Sequence, residues 1–276
     1  MKKRRIYRFA LLLLFGGCLG VFLYSASHVS TIRAGRSREQ AAFQRLAELV
    51  SENLQATDPE SDSPGETQSS DAKTDSSRNN SSQRQPLEQY LLLYEQNKDS
   101  FGWLRIDGTQ INYPVMFTPW DSEYYLRRSF DGTSSTSGTP FLDGACDPEG
   151  SYYLIYGHHL SGGTMFAELP NYKDPEYARA HPLIHLDTRY EEREYEVVSA
   201  FYSQIRKEEA QGVFRYYAYQ DLSEPALFEE FWQGVQASAL YDLGVRADYG
   251  DELLTLSTCS YHTQDGRFAV LAKRRR

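Results

Sequence analysis

Residues 253–259 read Leu-Leu-Thr-Leu-Ser-Thr-Cys, and Ser260-Tyr261-His262 and the turn Asp265-Gly266 follow. An apolar run closed by polar, turn-forming residues predicts a strand. The chain becomes polar at Cys259, so the thiol stands where it can be exposed and reactive. Burial as an inert structural residue is the commoner fate of a lone cysteine. Arg267 opens the next strand-like run, Phe268–Ala272, just after Gly266. A guanidinium there can stand beside a thiol at the end of a neighbouring strand. It stays charged and carries a fork of donors suited to a carbonyl or a developing oxyanion. A surface charge at a strand end is the plainer reading of the same residue.

Working outward, similar short runs recur at Trp103–Ile106, Ile111–Met116, Pro140–Leu142, Tyr152–Tyr156, Leu183–Leu186, Tyr195–Tyr202, Val213–Tyr219 and Leu253–Ser257. Asp107-Gly108, Asp131-Gly132 and Asp147-Pro148-Glu149-Gly150 punctuate them as turns. Many short strands with few helical crossovers predict a mainly β fold, a closed or nearly closed barrel. Two helices interrupt it. Leu87–Asn97 has apolar residues at helical spacing, and so do Leu227, Phe228, Phe231, Trp232 and Val235, which place a helix near residues 224–237 with Ser223 as its N-cap.

A nucleophilic cysteine needs a base or a cationic partner, because the thiolate is the attacking form. Of six histidines, His158 and His159 stand out, since they follow the strand Tyr152–Tyr156 and Gly157 in a setting like that of Cys259. His181 and His185 flank Pro182-Leu183-Ile184, and His262 needs a tight turn to point back at the thiol. Adjacent histidines on an extended chain point apart, and no HExxH or clustered Cys/His spacing occurs, so no metal and no cofactor are expected. No GxSxG elbow supports a serine nucleophile. Three cysteines without CxxC spacing make no disulfide framework, although a Cys146–Cys259 bridge is open on sequence.

The 276 residues hold 29 basic and 38 acidic side chains, a net charge of −9. Five bases lie in residues 1–8 and four in residues 273–276; the remainder has 20 bases against 38 acids. An acidic body argues against nucleic acid, which demands a basic face. The acidic pairs Glu191-Glu192 and Glu208-Glu209 read as solvated faces. Phe9–Tyr24 reads FALLLLFGGCLGVFLY without a charge, and it extends to about twenty residues, the length that spans a bilayer. Its basic flank predicts a cytoplasmic N-terminus with the rest outside. A cleaved signal peptide ending near Ser25-Ala26-Ser27 is the competing reading. The resulting organisation is a basic tail (1–8), a transmembrane anchor (9–29), a helical stalk (30–54), a disordered linker (55–86) and a folded domain (87–276). Residues 55–86 contain no Val, Ile, Leu, Met, Phe, Tyr or Trp, too little apolar surface to offset the entropy of ordering.

Taken together, Gly102-Trp103-Leu104-Arg105-Ile106, Ile111-Asn112-Tyr113-Pro114-Val115, Tyr156-Gly157-His158-His159, Thr255-Leu256-Ser257-Thr258-Cys259 and Arg267 resemble the sortases, and among them class B. These are membrane-anchored cysteine transpeptidases of Gram-positive bacteria. The resemblance implies an eight-stranded β-barrel, with the helix near 224–237 as a class B insertion. It implies Cys259 as nucleophile, His158 as acid and base, and Arg267 as the stabilising cation, with His159 a neighbour. Ser257 alternates onto the Cys259 face of the strand and is a candidate substrate contact. The implied reaction cleaves a C-terminal sorting signal of secreted proteins after Thr and passes the acyl group to a peptidoglycan cross-bridge amine or a pilin lysine. Neither a cofactor nor the calcium site of some class A members is implied. Pilin polymerisation, plain hydrolysis and a catalytically silent binding barrel are the alternatives.

Overall fold

The computed structural model describes residues 2–56, 85–206 and 212–275. Two compact units divide between Gln44 and Arg45. The first unit lies within α1 (Lys2–Ala56), a single unbroken helix that takes in both the expected anchor and the expected stalk. Phe15, Val21, Phe22, Leu23 and Tyr24 are exposed on it. The side chains of residues 1–14 lie outside the described ones, and with them the start of the apolar run. Among the described residues, no helix is long and apolar enough to cross a membrane. Most of the expected linker, residues 57–84, also lies outside the described residues.

The second unit is built on eight strands: β1 (Ser100–Arg105), β2 (Asn112–Met116), β3 (Phe141–Leu142), β4 (Tyr152–Tyr156), β5 (Leu183–Thr188), β6 (Glu194–Gln204), β7 (Leu253–Cys259) and β8 (Gly266–Arg274). They close into a barrel in the order β1-β2-β3-β4-β7-β8-β6-β5. Every pairing is antiparallel except β2 with β3 and β4 with β7. The exception at β4 and β7 matters most, because parallel strands bring their C-terminal ends to the same rim. Residues 253–258 of β7 are all buried, which explains the unbroken apolar run in the sequence.

One expected strand is not one. Residues 213–219 are aromatic and strand-like in composition, yet Tyr216–Ala218 form a 3₁₀ turn. β6 already pairs with β5 and β8, and β7 with β4 and β8, so the closed barrel leaves this segment no edge to join. Its rings pack instead: Phe214 and Tyr216 each lie 5.5 Å from Phe201, and Phe214 5.5 Å from Phe231.

Phe231 belongs to α4 (Pro225–Ser238), whose buried face is Phe228, Phe231, Trp232 and Val235. Its N-cap is Glu224, not Ser223; Pro225 supplies the preset first helical position, and Ser223 donates to Asp221 instead. α2 (Glu88–Gln96) forms close to where periodicity places it. α3 (Pro175–Ala180), capped by the Asp174 side chain on the Glu176 N–H, is too short for periodicity to reveal. Glu191 is not simply solvated, since it pairs with Arg193 and Arg274, and Glu192 accepts from Gln89. Glu208 and Glu209 lie outside the described residues.

Candidate active site

The β4–β7 ladder runs in register to Tyr156 opposite Ser257. It continues past the strand end: the Gly157 N–H donates to Ser257 O at 3.0 Å, and the Thr258 hydroxyl donates to Gly157 O at 2.7 Å. One further step along this alignment sets His158 level with Cys259. On the other side β8 runs antiparallel, with Arg267 the direct partner of Cys259. Three neighbouring strands thus bring His158, Cys259 and Arg267 to one row on one rim, and all three are half-buried.

Local contacts fix the histidine. A Cβ on Gly157 would stand 2.6 Å from the Phe166 ring, so only glycine lets β4 pass that buried side chain. Phe166 in turn donates its N–H to His158 O at 2.9 Å. His158 Nε2 lies 2.8 Å from the Leu126 carbonyl. Only a protonated nitrogen bonds a carbonyl, so Nε2 carries the hydrogen and Nδ1 keeps the lone pair. Burial lowers the His158 pKa; the Leu126 bond raises it, and the Arg127 charge lowers it again, for a net downward shift. The ring is therefore neutral at neutral pH. Leu126 sits in a 3₁₀ turn, Tyr124–Arg127. The Tyr125 hydroxyl pins that turn, donating to Asp99 at 2.9 Å and accepting from Asn97 at 2.7 Å.

His159 is placed differently. Its Nδ1 meets the Cys259 backbone carbonyl at 3.1 Å, and its ring lies 5.3 Å from that of Tyr261. His262 turns to the Ser260 hydroxyl at 2.9 Å and to the Tyr202 ring at 4.6 Å. His181 bonds Asp107 O, and His185 lies between Asp107 and Glu194. Ser257 is fully buried, its hydroxyl 2.6 Å from that of Tyr216. Arg267 donates from Nη1 to Gly266 O at 3.0 Å.

Two features of the site escape sequence reasoning. Tyr216 lies directly behind it: burial raises its pKa, the Ser257 bond and the Arg267 charge lower it, and Cys259 raises it further. Its hydroxyl meets that of Ser257, two residues before Cys259 on β7. The aromatic run at 214–219 was the available signal, but it reads as a strand. The Leu126 carbonyl is a backbone contact and leaves no trace in residue type. Cys146 and Cys259 are both free thiols, and burial pushes Cys146 up to about 12. Among the described residues, no cluster of His, Cys, Asp or Glu can hold a metal ion.

A half-exposed thiol with a neutral imidazole on one side and a guanidinium on the other is suited to acyl transfer through a thioester. A family model described as Sortase domain matches residues 104–275. A protein named Sortase B from Listeria monocytogenes is 30% identical over 185 residues, 66% of this chain and 72% of its own length. Sortase B of Staphylococcus aureus is 26% identical over 189 residues, 67% of this chain and 74% of its own. The fold is similar to that of a Staphylococcus aureus sortase B–substrate complex, with a TM-score of 0.70 and 22% identity over 88% of this chain and 99% of the other.

Proposed function

Because the chain belongs to the sortase family, as a cysteine transpeptidase of class B, we propose that Cys259 is its nucleophile, His158 its acid and base, and Arg267 its oxyanion-stabilising cation. The observation that carries this reading is the shared row on the β4–β7–β8 rim. His158 takes the thiol proton on Nδ1, and the Cys259 sulfur attacks the carbonyl of a Thr–X bond in a C-terminal sorting signal. Arg267 holds the developing oxyanion. The imidazolium gives its proton to the leaving amine, and a thioester remains. An incoming amine, from a cell-wall cross-bridge, gives up a proton to His158 and displaces Cys259. A lowered His158 pKa keeps the thiolate–imidazolium pair a small fraction at rest, so intrinsic turnover is slow. His159 is a neighbour that steadies the Cys259 backbone. Ser257, expected from strand alternation to touch substrate, is instead fully buried against the equally buried Tyr216, so it supports the site from behind rather than meeting substrate.

The proposal extends to placement. Residues 9–29 form a single-pass anchor with a cytoplasmic N-terminus, and residues 55–86 tether an extracellular catalytic domain. The uncharged run from Phe9 and the exposed apolar side chains from Phe15 to Tyr24 support the anchor. The partners are then secreted proteins bearing a sorting signal and a wall-precursor amine, all meeting at the outer membrane surface, where tethering raises effective concentration.

The test is cleavage of a fluorogenic sorting-peptide library with an amine acceptor, the products identified by mass spectrometry. Cys259→Ala is expected to abolish cleavage, and the wild type to yield the amide rather than the free acid. Undiminished cleavage by Cys259→Ala removes the assignment; free acid alone, at saturating amine, makes the enzyme a hydrolase.

A further inference from the structure

We propose that the cavity at the opposite end of β4 from His158 is an anion-binding site that takes a phosphoryl group. It encloses about 290 Å³ between the end of α2, the start of β1, the loop before β4 and the β5–β6 turn. Its key residue is Arg189. The guanidinium carbon lies 4.0 Å from the Tyr94 ring centroid and 4.9 Å from that of Tyr190. These ring contacts fix the guanidinium but use none of its N–H donors, which lie in its plane. Nε of Arg189 is buried and has no hydrogen-bond partner. Lys98 Nζ lies 4.2 Å from the same Tyr94 ring, so one aromatic ring holds two cations.

Neither Lys98 nor Arg189 forms an ion pair among the described residues. Arg193, which also borders the cavity, is by contrast already matched by Glu191 and Glu252. Two carboxylates, Asp99 and Glu149, share the rim, and Asp99 accepts from the Tyr125 hydroxyl. Phe101 and Phe117, 6.3 Å apart, add an apolar wall. In a chain of net charge −9, three cations, Lys98, Arg189 and Arg193, line this cavity against two carboxylates, and Lys98 and Arg189 hold no ion pair among the described residues, which makes it a place for negative charge. A phosphoryl group carries between one and two negative charges near pH 7 and three acceptor oxygens, which matches two cations; a carboxylate matches one.

Isothermal titration of the full chain in detergent, with pyrophosphate, with acetate and with a soluble short-chain phosphatidic acid, tests this. Saturable pyrophosphate binding is expected, with acetate at least tenfold weaker. The Lys98→Gln/Arg189→Gln variant is expected to bind at least tenfold more weakly while cleaving sorting peptide normally. Lys98→Gln alone, at an exposed position where folding is not at stake, is expected to lose several-fold. Tighter binding of the short-chain lipid assigns a lipid headgroup, and equal binding a free phosphate. Absence of saturable binding by either phosphate compound, or binding undiminished in the variants, overturns the proposal.

Discussion

In the proposed mechanism, the chemistry at Cys259 depends on what stands one strand to either side. Arg267→Lys keeps the charge and loses the fork, and an oxyanion donor is worth about 10²–10³ in kcat. Steady-state kinetics on the sorting peptide should show a fall of that order, mostly in kcat. His158 and His159 separate cleanly, because one ring bonds Leu126 O and the other the Cys259 backbone. His158→Ala is expected to lose activity by about 10²-fold or more, and His159→Ala to retain most of it; the opposite ranking would exchange their roles. The His158 shift also has a stability consequence. Its folded pKa lies below the unfolded value of about 6.5, so in the window between them the unfolded chain binds more protons. Stability is therefore expected to fall as pH drops through that window, and the decline should shrink in His158→Gln. Urea melts of both proteins between pH 7.5 and pH 5 measure the difference.

Among the elements, the turn from β4 into His158 leaves no room for a side chain at Gly157. Gly157→Ala sets a methyl group against the Phe166 ring and is expected to cost about 1–3 kcal/mol while displacing His158, so that activity falls further than stability does. Thermal melts read beside kinetics separate the two effects. Phe231→Ala in α4 empties a fully buried site in contact with Tyr152, Phe214 and Tyr219, and about 3–5 kcal/mol is expected on denaturant unfolding. These elements also show what a sequence can disclose. β4 and β7 were legible because their runs are apolar and closed by polar residues; His158 lies just past the end of β4, Cys259 at the end of β7 and Arg267 at the start of β8. Residues 213–219 misled because aromatic composition speaks for burial, not for a ladder. Whether a segment becomes a strand depends on a free edge, and a closed barrel has none. The Tyr216–Ser257 bond and the Leu126 carbonyl were equally hidden, since each joins segments remote in sequence.

Across the whole molecule, the basic C-terminus finds its explanation in acids far along the chain. Arg274 pairs with Glu252 at 2.9 Å and with Glu191 at 2.8 Å, and Arg275 with Glu194 at 3.2 Å. Arg193 is buried among Glu191, Glu252 and the Tyr153 hydroxyl. The network ties the last strand to the β5–β6 turn and to the residue before β7. Removing its buried centre leaves Glu191 and Glu252 to share Arg274 alone and the Tyr153 hydroxyl without its donor, so Arg193→Met is expected to cost about 3 kcal/mol. Arg274→Ala, at a partly exposed position, should cost about 1 kcal/mol or less in the same denaturant assay.

The parallel pairing of β4 with β7 also governs when the molecule becomes dangerous to its neighbours. The bond from Thr258 to Gly157 closes a loop of 101 residues. Contacts of such sequence separation carry a large closure entropy and favour slow folding. Until that ladder zips, Cys259 has at most Arg267 beside it, across the local β7–β8 pairing, and no imidazole to take its proton. On the proposed roles of Cys259 and His158, peptide-bond-breaking capacity arrives only with barrel closure.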